Sequence, residues 1–209
     1  EVETSYSFDL TWRKFEGDFG FVLSAFYNHV EDYYYQKDTG LFFKDEHDGE
    51  HEEVGLPILI YQQANVDMYG LETEFVYQIS SPLKATIFGD YIHAELSDGG
   101  NLPRIPPMRV GTLLNYQADN FDSELSINHY FEQDNIAELE SPTASYTLLD
   151  MNVNYYLNGI GVDGLGSDLV LYFKANNLTD EVALVHSSFL KKVAPLPGRN
   201  FSIGIRGSF

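Results

Sequence analysis

The sequence predicts an all-β chain, about nine antiparallel up-and-down strands that form the C-terminal part of a transmembrane β-barrel. Three observations predict it. Apolar and polar residues alternate with period two in segment after segment, the connections alternate between short and long, and aromatic residues gather where strands meet the short turns. A soluble β-sandwich would share the first feature. The second and third belong to outer-membrane barrels, with short periplasmic turns, long outer loops and rings at headgroup level.

The clearest strand is 2–13. Val2, Thr4, Tyr6, Phe8, Leu10 and Trp12 alternate with Glu3, Ser5, Ser7, Asp9, Thr11 and Arg13. Side chains alternate across a strand, so one face is apolar and the other polar. Twelve residues at ~3.3 Å each, tilted by ~40°, rise roughly 30 Å, enough to cross an outer membrane. The same pattern returns in Tyr69, Leu71, Thr73, Phe75 and Tyr77 against Gly70, Glu72, Glu74 and Gln78. It returns again in Thr147, Leu149, Met151, Val153, Tyr155 and Leu157 against Asp150, Asn152 and Asn154. Leu169, Leu171, Phe173 and Ala175 oppose Asp168, Lys174 and Asn176; Phe201, Ile203, Ile205, Gly207 and Phe209 oppose Asn200, Ser202, Arg206 and Ser208. Weaker versions cover 19–35, 83–96, 106–117 and 121–132.

Between these strands, 14–18, 79–82, 118–120 and 158–167 are the shorter connections, while 36–56, 97–105, 133–144 and 178–199 are mostly longer. The 158–167 turn is long for its side. Trp12, Phe15, Phe19, Phe21, Phe75, Tyr77, Tyr116, Phe121, Tyr155, Tyr156 and Phe209 are expected in a girdle beside the short turns. Tyr33, Tyr34 and Tyr35 are expected at the opposite rim. Apolar residues such as Tyr6, Phe8, Leu10, Leu149, Met151, Val153, Ile203 and Ile205 should face lipid. Ser5, Ser7, Asp9, Glu72, Glu74, Asn152, Asn154 and Arg206 should face the lumen, because lipid cannot hydrogen-bond a polar side chain.

Composition narrows the function classes. A formal net charge of −20 makes the chain a poor nucleic-acid binder, because phosphate recognition needs clustered Lys and Arg, so no nucleic acid is expected as a partner. With no cysteine, disulfides, thiolate metal sites and Cys nucleophiles are excluded together. No window approaches the ~18 apolar residues of a helical span. The first residues, Glu1 to Thr4, already alternate and do not read as a signal peptide. Nine is an odd count, and open first and last strands would leave unpaired edges in lipid. Residues 1–209 are therefore expected to be the C-terminal segment of a barrel domain, with further strands upstream.

Asn177-Leu178-Thr179-Asp180 followed by HSSFLKKVAPLPGRNFSIGIRGSF, residues 186–209, resembles the end of a TonB-dependent receptor. YGLETEF (69–75), NLPRIPPMRVGTLLNY (101–116) and YTLLDMNVNY (146–155) resemble that family's later strands. The wording around His186, with an acidic His-bearing loop, is similar to zinc-uptake members. The resemblance implies a 22-stranded barrel plugged by an N-terminal domain and a TonB complex that supplies energy through that absent region. It also implies that the terminal Phe209 helps the barrel-assembly machinery recognise its substrate.

The metal candidates are Asp45, Glu46, His47, Asp48, Glu50, His51 and Glu52, with Glu53 completing six carboxylates and two imidazoles in nine residues. Imidazole with carboxylate suits zinc, and carboxylate alone suits calcium or magnesium. The alternative is a solvated acidic loop tip. No cofactor is required; a bound zinc or other divalent cation is the expected ligand of this extracellular loop. His29, His93 and His129 share parity with apolar neighbours and read as headgroup-level residues rather than ligands. His186 lies in the last long loop, either facing a bound solute or serving as an ordinary loop residue. Glu72 and Glu74 share a face, as a hydrolytic pair might, but on an inward wall they line the channel or bond a plug. Neither a Gly-x-Ser-x-Gly elbow nor a His-Glu-x-x-His motif is present, so no enzyme is expected.

These readings converge on an outer-membrane receptor embedded in lipid and lipopolysaccharide that takes up a scarce solute, zinc first. A siderophore or haem receptor is the alternative within the same class. A passive porin and an adhesive or structural β-domain are the rivals outside it.

Overall fold

The computed structural model describes residues 1–43, 56–157 and 168–208. Among these residues nine strands form one sheet in the order of the chain, every neighbour pair antiparallel. They are β1 (Thr4–Glu16), β2 (Phe19–Phe43), β3 (Leu56–Ser80), β4 (Leu83–Leu96), β5 (Arg109–Ala118), β6 (Phe121–Tyr130), β7 (Tyr146–Tyr156), β8 (Asp168–Asn176) and β9 (Asn200–Ser208). No strand crosses another, and each of the eight ladders joins strands that are neighbours in sequence, the pairing expected of a membrane wall.

The register keeps the two faces separate across the sheet. On the apolar face Phe8 pairs Tyr27, Tyr27 pairs Tyr69 and Tyr69 pairs His93; farther along, Ile127 pairs Leu149, and Phe173 pairs Ile203. On the polar face Ser24 pairs Glu72, Glu72 pairs Asp90, and Asp90 pairs Arg109. Rings on the apolar face touch across strands near the short turns. Trp12 meets Phe21 edge-on at 4.8 Å, and Tyr116 lies 5.9 Å from Phe121. Phe8 and Asp9 stand on opposite faces, as expected from their parity.

Four expectations need correction. The first is the long 36–56 connection: β2 continues to Phe43 and β3 begins at Leu56, so the hairpin is a long ribbon. The second concerns the tyrosine rim. The β2–β3 register shifts between Val30 and Tyr33, where Asp32 takes φ of 54°. One extra residue in a strand reverses the parity that follows it. Tyr33 and Tyr35 therefore turn inward, against a small core of Val66, Ala94 and Leu102, joined by Met68, Leu96 and Ile105. Tyr34 alone of the three keeps the outer face.

The third correction removes Phe15 and Tyr156 from the girdle. Tyr156 lies on the polar face and donates its hydroxyl to Asp122. Phe15 lies over its cross-strand partner Gly20, where a Cβ would collide with the ring. The same pairing recurs on the polar face with Phe26 over Gly70, Phe88 over Gly111 and Tyr172 over Gly204. These rings break the alternation within β1, β2, β4 and β8, yet each fills the space left by a residue without a side chain. The fourth is minor: β5 starts at Arg109, not 106, because Pro106 and Pro107 have no N–H for the ladder.

Candidate functional site

At the end of the sheet opposite the short turns, three long connections fold together: 97–108 after β4, 131–145 after β6 and 177–199 after β8. Each is held at its base by local bonds. The last is closed by the Asn-Leu-Thr-Asp turn. Asn177, at φ 50°, donates through Nδ2 to the carbonyls of Glu181 and Pro197 at 2.9 and 3.1 Å. Asp180 Oδ1 accepts from the Arg199 N–H at 2.9 Å. The turn and the Pro-Gly-Arg tract thus clamp the two ends of one loop. Among short polar side chains Asn and Asp tolerate positive φ best, which explains their use here.

The three connections meet at Glu140. Its Oε1 accepts from Lys191 Nζ at 3.0 Å and lies 3.1 Å from His186 Nε2. It also accepts from the Arg104 N–H at 3.0 Å. Its Oε2 accepts from the Ala137 N–H at 3.2 Å. His186 is 2% exposed, and its Nδ1 lies 2.9 Å from Thr143 Oγ1. Burial pushes the Glu140 carboxyl up, but hydrogen bonds from His186, Lys191 and Ala137 and the Lys191 charge outweigh it and hold it at about 2. Burial lowers the Lys191 ammonium, opposed by its bond to Glu140.

Arg104 extends the cluster. Its guanidinium donates to the Gln36 carbonyl at 3.1 Å and lies 4.2 Å above the Phe189 ring. A long β2–β3 ribbon is thereby tied to the same node, with Lys37 paired to Glu138 at 3.4 Å. Arg104 at φ 62° and Leu139 at φ 67° take conformations uncommon for such residues, and the contacts above hold Arg104 in place.

His186 is therefore turned inward between loops, not toward an open mouth. His29 and His93 stand on the apolar face near its outer end. There Asp67 accepts from the hydroxyls of Tyr27 and Ser97 at 2.6 and 2.7 Å and lies 2.9 Å from His29 Nδ1. His129 Nδ1 lies 2.8 Å from Thr147 Oγ1 on the same face. Glu72 and Glu74 line a shallow concavity on the polar face with Ser24, Phe26, Asp90 and Arg109. In that wall Asp90 receives Arg109 Nε at 2.8 Å. The metal candidates Asp45 to Glu53 lie outside the described residues, as does Phe209. Among the described residues no group of three or more His, Asp or Glu side chains is gathered for a metal ion.

Sequence reasoning missed Glu140, Lys191, Arg104 and Asp67. Their partners lie far along the chain, 36 residues apart for Arg104 and Glu140 and 51 for Lys191 and Glu140, and no spacing rule connects them.

Comparison with known proteins agrees with this architecture. The copper transporter OprC shares the fold with a TM-score of 0.79 at 18% identity, over 99% of this chain and 30% of its own. The FrpB iron transporter from Neisseria meningitidis matches with a TM-score of 0.69 at 13% identity, over 98% of this chain and 31% of its own. The pyoverdine receptor FpvA from Pseudomonas aeruginosa, solved with pyoverdine bound, matches with a TM-score of 0.66 at 12% identity, over 99% and 30%. The chain thus spans about a third of the length of these structures. A family model described as TonB dependent receptor-like, beta-barrel matches residues 1–178, a family of transport receptors and not of enzymes. The chain belongs to this family, and its sheet is a portion of an outer-membrane barrel wall.

Proposed function

We propose that the chain supplies wall strands and outer loops to a TonB-dependent receptor that captures a scarce solute outside the cell and passes it inward. The family match over residues 1–178 carries this reading. A sheet with one apolar and one polar face agrees with it, since such a wall separates lipid from a lumen. The remaining strands, the plug and the contact with the TonB complex belong to an upstream region. Phe209 is the proposed recognition point for the barrel-assembly machinery, and lipopolysaccharide the proposed neighbour of the outer rim.

The solute class is a transition metal or its chelate. Zinc is the first reading, on the strength of His47 and His51 among Asp45, Glu46, Asp48, Glu50 and Glu52, because imidazole with carboxylate suits zinc. Copper is the second, favoured by the fold shared with a copper transporter and by the higher affinity of nitrogen and oxygen ligands for copper(II). A siderophore or haem receptor remains the alternative of the same family. Full-length receptor and its His47→Ala/His51→Ala form, titrated with zinc(II) and copper(II) by calorimetry, test the solute. Weaker binding of one metal by the variant, with slower growth when that metal is scarce, is the expected result. Identical binding and growth for both forms would leave residues 45–53 as a solvated acidic surface.

A further inference from the structure

We propose that Glu140 is a latch that holds three outer loops and the β2–β3 ribbon together as one lid over the mouth of the barrel. The functional part of the proposal rests on the receptor reading above; the structural part does not. One carboxylate receives the Arg104 N–H from the β4–β5 loop, Lys191 and His186 from the β8–β9 loop, and Ala137 from its own. Three donors crowd Oε1 and one reaches Oε2, in a place where Glu140 and Lys191 side chains are 8% and 9% exposed. Charge-assisted bonds in such surroundings are about twice as strong as neutral ones. Removing one partner leaves the others buried without compensation.

The contacts around the node link the same elements. Asn101 Nδ2 donates to the Ile136 carbonyl at 3.1 Å and Gln133 Nε2 to the Ile105 carbonyl at 2.9 Å, joining the first two loops. Thr143 with His186 joins the second and third. Arg104, between the Gln36 carbonyl and the Phe189 ring, joins the ribbon to all of them. Elements so connected move together or separate together. Leu102 of the β4–β5 loop is buried against Val66 and Ala94 of the wall, which gives the lid a fixed seat. Glu140 and Arg104 are thus positioning residues: they shape the mouth that a solute must enter.

These 209 residues contain no cysteine, so once any cysteine elsewhere in the full-length receptor is replaced, labels report only the chosen positions. Spin labels at Asn135→Cys and Lys192→Cys, both exposed, report the separation of two loops in the full-length receptor in membrane vesicles. The parent should give a narrow distance distribution. Glu140→Ala should give a broad one, and Glu140→Gln, which keeps an acceptor of the same shape, one in between. Urea titration of the barrel should be unmoved in the same vesicles, which separates loop release from misfolding. Uptake of zinc(II), with copper(II) in parallel, should show a half-saturation concentration changed by about tenfold in Glu140→Ala, with the maximal rate little altered. Distance distributions that match the parent would overturn the latch. Released loops with an unchanged half-saturation concentration would overturn its part in capture. Absence of uptake by the parent, with released loops in the variant, would overturn the metal reading and leave the latch standing.

Discussion

The wall and the mouth of this molecule are built by opposite means. In the wall each strand bonds its sequence neighbour, and side chains need only the right polarity on the right face. Leu149, for example, has Ile127 across from it, and its apolar character matters more than its shape. In the mouth, three connections without regular ladders are held by a few polar side chains whose partners lie 28 to 68 residues away. The wall spreads its stability over many equivalent backbone bonds. The mouth concentrates it at Glu140. A wall therefore tolerates most changes that keep polarity, while the mouth depends on particular atoms.

The largest expected effect tests the wall's rule. Met151→Arg places a charge on the apolar face at the middle of β7 and should destabilise the inserted barrel by about 2–4 kcal/mol. Ser126→Arg, on the polar face opposite Asp150, should change stability by less than about 1 kcal/mol. Urea titration of both full-length variants in lipid vesicles measures the difference. Equal losses would mean that polarity of the face does not govern the wall.

The second prediction concerns acid and the mouth. The Glu140 carboxyl is held at about 2, below its ordinary 4.5, so the folded loops favour its charged form. Its contribution is complete above pH 4.5 and is lost as pH falls from there toward 2. The local loss is on the order of 2 kcal/mol. Loop distances read at pH 6 and pH 3 should differ in the parent and return on neutralisation. Glu140→Gln should show no such window, and a window that survived this substitution would assign the pH response to other groups.

The smallest effect addresses the rings that break the wall's alternation. Gly111→Ala should cost about 1–3 kcal/mol through collision with the Phe88 ring. Adding Phe88→Ala should recover part of that loss, giving a coupling energy of about 1 kcal/mol in a double-mutant cycle. Additive losses would show that ring and glycine do not act as a pair.

The outcome for each element follows from how local its cause is. β1, β7 and β9 were legible because their alternation is nearly unbroken. β2 and β4 were weaker because Phe26 and Phe88 occupy polar-face positions, a choice that makes sense only beside Gly70 and Gly111 on neighbouring strands. The strand continuation to Phe43 and from Leu56 was hidden for a related reason. Gln36, Lys37, Asp38, Thr39 and Gly40 read as loop, Pro57 interrupts the apolar run 56–61, and the parity switch at Asp32 disguised the period. The loop-closing role of Asn177 and Asp180 was half visible: the turn motif could be recognised, but not its bonds to Pro197 and Arg199.

By itself the sequence determined that this is a two-faced β wall, which strands form it, in what order, and which end carries the long connections. Period-two polarity and turn length are local properties, and sequential pairing follows once every edge must be covered in lipid. Only the tertiary structure decided which face Tyr33 and Tyr35 occupy, why polar-face rings sit over glycines, and that His186, Lys191 and Arg104 converge on one carboxylate. Those outcomes depend on contacts between residues distant in the chain. A residue's own type sets what it can bond, and only the fold sets what arrives beside it.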